Sequence, residues 1–264
     1  MRFFAVISGK KLLAGAVVAV GICAAGFALL RPGGVVETAA SKRDLPIYSV
    51  GREEKVCSLT FDAAWGNEDT QQLIDILGEH DIKATFFVVG EWVDKYPESV
   101  KALSDAGHEV MNHSSTHPHM TELSPDQMIA EVQNCNKKIE AVTGKCPTLF
   151  RPPYGDYNDA VVSTMRSIDM YTIQWDVDSL DWKDPPPSDI VSRVVKNARS
   201  GSIILFHNAA TNTPAALPDV IDGLVEQGFS FLPVSQLIYT DNYTMDHTGR
   251  QICKDSGAVD AANG

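Results

Sequence analysis

Basic residues are the scarce class in this sequence. Across 264 residues, 22 lysines and arginines stand against 34 aspartates and glutamates, a formal net charge of −12. That balance argues against a nucleic-acid partner, because phosphates are met by a basic footprint. It also argues against a basic patch that adsorbs to anionic wall polymer, and the surplus acid reads as solubility. There is no CxxC pair, so nothing suggests a zinc knuckle. No glycine-rich phosphate loop follows the first strand-like run, Lys55–Phe61, which removes nucleotide cradling from the candidate functions.

What the chain does have begins with Leu12–Leu30, 19 residues without a charge, preceded by Arg2, Lys10 and Lys11 and followed by Arg31. A run of about 20 apolar residues spans a bilayer as a helix, and the basic residues before it favour a cytoplasmic N-terminus with the rest exported. A single-pass membrane anchor is the expectation. A cleaved signal peptide, with small residues at Thr38-Ala39-Ala40 near the cut, is the rival and implies secretion. Four of the five cysteines, Cys57, Cys135, Cys146 and Cys253, then lie where disulfides persist. They allow three pairings or reduced, buried thiols, and spacing does not choose between these. The expected organisation is a cytoplasmic N-terminus and anchor over 1–31, a linker over 32–51, one domain over 52–240 and a disordered tail over 241–264.

Within the domain, strand-like and helix-like stretches alternate. Runs at 55–61, 84–89, 108–111, 148–150, 170–175, 202–206 and 229–231 read as strands. Helical periodicity fills 69–79, 97–106, 125–142, 157–168, 188–199 and 215–227. Pro125 opens the longest helix and Gly144 closes it. Repeated β-α units predict an α/β fold, a distorted (β/α) barrel of about seven parallel strands, with chemistry at the carboxyl ends of the strands.

Polar groups cluster at those ends. Asp62 follows the first strand, Asn112 and His113 the third, Arg151-Pro-Pro-Tyr-Gly155 the fourth, Asp176, Asp178 and Asp181-Trp182 the fifth, and His207 the sixth. Loops are polar in any fold, which accounts for one or two of these segments but not for five. His113 and His117 are four residues apart, so on a helical turn both imidazoles would face one way, and neutral imidazole is a common metal ligand. Singly, each residue has a bland reading: Asp62 as a helix cap, Arg151 as a structural ion-pair residue, His207 as a satisfied core histidine.

Thr60-Phe61-Asp62, His113-Ser-Ser-Thr-His117, Arg151-Pro-Pro-Tyr-Gly155, Asp178-Ser-Leu-Asp181-Trp182 and Leu205-Phe-His207 resemble, in order and spacing, the five motifs of the NodB-type polysaccharide deacetylases, carbohydrate esterase family 4. Ala63-Ala64-Trp65-Gly66 looks like the sporulation-associated branch of that family. The resemblance covers about residues 52–240 and implies hydrolysis of N-acetyl groups from a glycan, with peptidoglycan the first expectation. It implies Asp62 as general base, Arg151 holding that carboxylate, Asp181 orienting Arg151, and His207 as general acid. The Tyr154 N–H would donate to the oxyanion, Trp182 and Leu205 would line the acetyl pocket, and His113 and His117 would hold a divalent metal, zinc or cobalt. No protein partner is implied.

One position departs from the pattern. The family usually has a second aspartate as third metal ligand, and Ala63 stands there without a donor atom. Catalytic zinc typically takes three protein ligands, so the metal site is expected to be weak or lost. The alternative function is therefore a glycan-binding pseudoenzyme. It keeps Asp62, Arg151 and His207 with little physical reason to do so.

Overall fold

The computed structural model describes residues 43–254. The expected membrane span at Leu12–Leu30 and residues 255–264 lie outside them. Among the described residues no helix is long and apolar enough to cross a membrane.

The chain runs β1 (Ser49–Val50), β2 (Val56–Ala63), α1 (Thr70–Glu79), β3 (Thr85–Val88), α2 (Gly90–Lys95), α3 (Pro97–Asp105), β4 (Glu109–Asn112), α4 (Pro125–Thr143), β5 (Leu149–Phe150) and α5 (Asp159–Ser167). It continues through β6 (Tyr171–Thr172), β7 (Val177–Asp178), α6 (Pro187–Asn197), β8 (Ser202–His207), α7 (Thr213–Glu226), β9 (Ser230–Phe231), α8 (Val234–Leu237), β10 (Tyr243–Met245) and β11 (Arg250–Cys253). The strands form one curled sheet in the order β10-β11-β1-β8-β2-β3-β4-β5-β6, with β7 beside β8 and β9 beside β2. Pairings from β8 through β6 are parallel, as repeated β-α units require. A single bridge between Ile47 and Ile173 ties the chain entering β1 to the end of β6.

All eight residues of β2 are buried, as expected of a central strand covered on both faces. Its side chains alternate. Cys57, Leu59, Phe61 and Ala63 join an apolar cluster with Leu73 and Leu77 of α1 and Val220 and Ile221 of α7. Phe61 stacks on its neighbours in register, Phe86 of β3 and Phe206 of β8, with ring centroids 4.8 and 5.5 Å away. The next row down the strands carries Asp62 of β2 and His207 of β8 side by side. A row that buries three phenylalanines against the helices therefore fixes the level at which Asp62 and His207 emerge.

α4 shows how local sequence sets an element's ends. Ser124 accepts from the Gln127 N–H while Gln127 Oε1 accepts from the Ser124 N–H, a reciprocal cap. Pro125 occupies the first turn and Gly144 stops the helix at φ 71°. The expected disordered tail is corrected in part: 243–245 and 250–253 pair antiparallel as β10 and β11, and β11 lies parallel to β1. The polar residue that disguised this strand, Gln251, is fully buried and exchanges both of its amide groups with the Tyr239 backbone. Cys57 and Cys135 are buried free thiols and Cys146 is an exposed one, so the nearest pair in sequence, Cys135 with Cys146, is not bonded.

The junction of β1 with β8 depends on Gly201. Its φ is +78°, and a Cβ there would lie 1.7 Å from the Val50 carbonyl oxygen. Gly201→Ala should lower the unfolding free energy in urea by about 3 kcal/mol or more. A loss below about 1 kcal/mol, within the range of ordinary surface changes, would mean that β1 is not held at this junction.

Candidate active site

Parallel strands lie about 4.8 Å apart, so cross-strand neighbours with side chains on one face can share a reaction centre. Asp62 and His207 are such neighbours. Asp62 is 7% exposed. Its Oδ1 accepts from Arg151 Nη1 at 2.8 Å, and its Oδ2 lies 3.6 Å from His113 Nε2. Burial alone would raise its pKa, but the Arg151 charge, reinforced by His113 and His207, outweighs burial and holds the carboxyl below its ordinary value.

Arg151 is completely buried. Besides Asp62, its Nη1 donates to Thr60 Oγ1 at 2.9 Å and its Nη2 to the Gln174 carbonyl at 3.1 Å. The guanidinium carbon lies 4.2 Å from the Phe87 ring centre. The same residue's carbonyl accepts from His113 Nδ1–H at 2.7 Å, which leaves His113 Nε2 unprotonated toward Asp62. Burial depresses the His113 pKa, and the partial offset from Asp62 does not reverse this.

His113 and His117 do come together, their ring centroids 4.9 Å apart, but not on a helical turn. They lie on a loop after β4 in which Ser114 and His117 have φ of 68° and 60°. Glu131 of α4 shapes this loop, accepting from the N–H groups of Ser115 and Thr116 and from the Thr116 hydroxyl. Burial, then the neighbouring His113, pushes the His117 pKa down to about 4. Tyr154, at φ 59°, sits between His117 and His119, 4.5 and 4.3 Å from their rings.

His207 has a different environment. Its Nδ1–H donates to Asp181 Oδ1 at 2.8 Å and its backbone N–H to Asp181 Oδ2 at 2.8 Å. Asp181 is fully buried, and Thr213 Oγ1 donates to it at 2.6 Å. Burial would lower the imidazole pKa, but the hydrogen bond and charge of Asp181, with Asp62 and Asp178 beyond, raise it above its ordinary value. The expectation that Asp181 orients Arg151 is therefore corrected: its partners are His207 and Thr213, because the turn after β7 delivers it to β8 rather than to β5.

Leu205 lies two residues before His207 on the same face of β8 and is buried. Trp182 is 54% exposed, its ring 4.7 Å from the Lys183 ammonium. Sequence reasoning assigned no role to Glu131 or Trp65, and it did not see what Asn208 does. Asn208 Nδ2 donates to the carbonyls of Trp65 and Gly66, and its Oδ1 accepts from Ala64 N–H. It thus staples the 64–66 turn to the His207 strand and leaves Trp65 56% exposed, edge-on to His117. Glu131 carried no readable signal, being one of many acids on a polar helix face. The Trp65-Gly66 pair did carry one, an aromatic beside a turn residue.

Deacetylases of carbohydrate esterase family 4 generally use a divalent metal. The donors fit only in part. Burial depresses the pKa of both imidazoles, which favours the neutral, ligating form, and His113 is oriented through its other nitrogen in the way of ligating histidines. The Ala63 methyl, however, is packed among apolar side chains on the helix-covered face. Among the described residues no group of three or more His, Cys, Asp or Glu is placed to hold an ion. Among the described residues a three-ligand metal site is therefore not built.

The polysaccharide deacetylase family profile matches residues 49–173. The peptidoglycan-N-acetylmuramic acid deacetylase PdaC of Bacillus subtilis is 39% identical over 72% of this chain, which spans only 40% of PdaC. A CE4 family pseudoenzyme from Bacillus anthracis superposes with a TM-score of 0.72 at 37% identity, covering 79% of this chain and 71% of that one. A peptidoglycan-N-acetylglucosamine deacetylase of Bacillus cereus is 36% identical over 72% of this chain and 92% of its own length. On that extent of identity, with the five motifs gathered at one rim of the sheet, the chain belongs to the polysaccharide deacetylase family.

Proposed function

We propose that the chain hydrolyses N-acetyl groups from a cell-wall glycan, with peptidoglycan as substrate. One observation carries this reading: Asp62 and His207 stand side by side, each with its own partner, and the partners drive their protonation in opposite directions. Two titratable groups whose environments push their pKa values apart make an acid and base available together. Amide hydrolysis needs both in one turnover.

In this mechanism Asp62 Oδ2, the oxygen that Arg151 leaves free, takes a proton from water as the water oxygen attacks the acetyl carbonyl carbon. The Tyr154 N–H donates to the oxyanion that forms. His207 keeps Nδ1–H on Asp181 and gives its Nε2 proton to the departing amine as the carbon–nitrogen bond breaks. Acetate and a free amino sugar result. Leu205 and Trp182 bound the acetyl group. The charge-free run Leu12–Leu30 supports attachment to the cell membrane with this domain outside the cytoplasm, and Ala63-Ala64-Trp65-Gly66 supports the sporulation-associated branch. A second reading, a glycan-binding pseudoenzyme, is favoured by Ala63 and by the likeness to the Bacillus anthracis pseudoenzyme.

The test is acetate release by the full chain from peptidoglycan and chitooligosaccharides, with and without added zinc or cobalt. Asp62→Asn and His207→Ala should each lower the rate by about 10²–10⁴-fold, the span of general acid–base catalysis. If no glycan yields acetate under any metal condition, the enzyme reading fails. Glycan binding that persists and ignores Asp62→Asn would then mark the pseudoenzyme.

pH dependence follows from the His207–Asp181 pair. A group with a raised pKa keeps its proton above its ordinary value, here 6.5. The rate should therefore fall as pH rises through the raised value, where His207 loses the proton it must donate. Asp181→Asn removes the largest cause of the raise, so the alkaline limb of kcat/KM should move to lower pH while the acid limb, set by Asp62, stays in place. An unmoved alkaline limb would assign the acid to another group.

A further inference from the structure

Tyr154 is held in a conformation that its own backbone does not favour. Its φ is 59° and its ψ 8°, left-handed values that a tyrosine keeps only where its surroundings over-determine them. Core packing does not supply that constraint, because the residue is 63% exposed. The backbone bonds of its 3₁₀ turn run from the Gly155 N–H to the Pro152 carbonyl and from the Asp156 N–H to the Pro153 carbonyl, and neither uses the Tyr154 N–H. What the side chain does meet is two imidazoles. His117 stands edge-on to its ring at 4.5 Å, and His119 lies almost flat against it, 4.3 Å away with 21° between the planes.

His119 is itself braced from the segment that carries Tyr154. Its Nδ1 lies 3.4 Å from Asp156 Oδ2, and the same oxygen accepts from the Thr121 hydroxyl at 2.6 Å and from the Thr121 N–H at 3.3 Å. Met120, fully buried, anchors the chain between His119 and Thr121. Two struts therefore join the loop after β4 to the loop after β5, one a ring stack and the other a carboxylate. Returning Tyr154 φ to the ordinary negative region would swing its Cβ and draw the ring out from between the imidazoles. His119 has no part in the proton transfers described above. We propose that His119 is a positioning residue: stacked on Tyr154 with Asp156 behind it, it holds the Tyr154 backbone in the left-handed region and so keeps the Tyr154 N–H directed at the oxyanion. The inference rests on the deacetylase reading and adds a residue to it. An oxyanion donor acts chiefly in the transition state, so loosening it lowers kcat and leaves ground-state binding of the glycan in place.

The test compares the full chain with three variants: His119→Ala, His119→Phe, which keeps a flat ring, and His119→Asn, which keeps a polar group near Asp156 but no ring. Acetate release is followed on peptidoglycan or chitotetraose, whichever the wild type deacetylates. His119→Ala and His119→Asn should each lower kcat about tenfold with KM within about twofold of wild type, inside the range that a misplaced group costs, and His119→Phe should recover most of the rate. An unchanged kcat in His119→Ala overturns the proposal. So does a raised KM at constant kcat, which would make His119 a glycan contact. A second readout needs no turnover. Selective ¹⁵N labelling gives amide signals from the seven tyrosines, and Tyr154→Phe identifies the one from residue 154. That amide should show flat relaxation dispersion in the wild type and in His119→Phe, and microsecond-to-millisecond exchange in His119→Ala. Flat dispersion in His119→Ala also overturns the proposal. A wild type that releases no acetate would sink the deacetylase reading alone, and the dispersion would still decide whether His119 holds the Tyr154 backbone.

Discussion

The buried contact between Arg151 and Asp62 organises the rest of the site. A guanidinium removed from water loses its hydration, and several partners must replace it. Asp62 supplies the opposite charge, Thr60 and the Gln174 carbonyl take further donors, and Phe87 lies against the guanidinium face. Removing either charge would leave the other buried and unpaired, which costs about 3–5 kcal/mol. The pair thereby binds the end of β2 to the strand ends at β5 and β6. Through the Arg151 carbonyl it also fixes His113. One residue sets the ionisation of Asp62 with its side chain and the tautomer of a neighbouring imidazole with its backbone.

His207 draws on a separate support. Asp181 satisfies both its ring and its backbone and is itself held by Thr213. Asp62 and His207 thus have separate partners, Arg151 after β5 and Asp181 in the turn after β7. The two groups also act on each other, His207 helping to lower the Asp62 pKa and Asp62 helping to raise that of His207, so they titrate as a coupled pair.

Much of the fold was legible because burial writes itself into sequence. The runs at 55–61 and 202–206 are rich in apolar residues, and the α4 ends are marked by Ser124, Pro125 and Gly144. The misses share a physical cause, dependence on tertiary neighbours. β7 is two residues long and exists only as an addition to β8. β11 hides behind Gln251, whose burial makes sense only once Tyr239 is beside it. The spacing of His113 and His117 suggested a helical turn, but Ser114 and His117 in left-handed conformations bring the rings together on a loop. The motif identified Asp181 as a site residue and misassigned its partner, because which strand end a turn reaches is not encoded in the turn. Glu131 was invisible for the same reason.

The two rims of the sheet pay for their turns differently. At the rim opposite the site, chain reversals into β4, β5, β8 and β9 use Gly107, Gly144, Gly201 and Gly228 at positive φ, where glycine meets no steric objection, while those into β3 and β6 use Asp81 and Asp169. At the site rim Gly66 and Gly155 share the same backbone region with Ser114, His117, Tyr154, Leu180, Asp184 and Ala209, the last six at about 1–3 kcal/mol each because a side chain is present. Of the nine non-glycine residues at positive φ among the described residues, six lie at the site rim, so attempts to make this protein hardier by relaxing such angles would fall mostly on that face. Thermal robustness and function draw on the same handful of residues, and an engineer seeking the first without losing the second must work from the glycine-turned rim or from the helices.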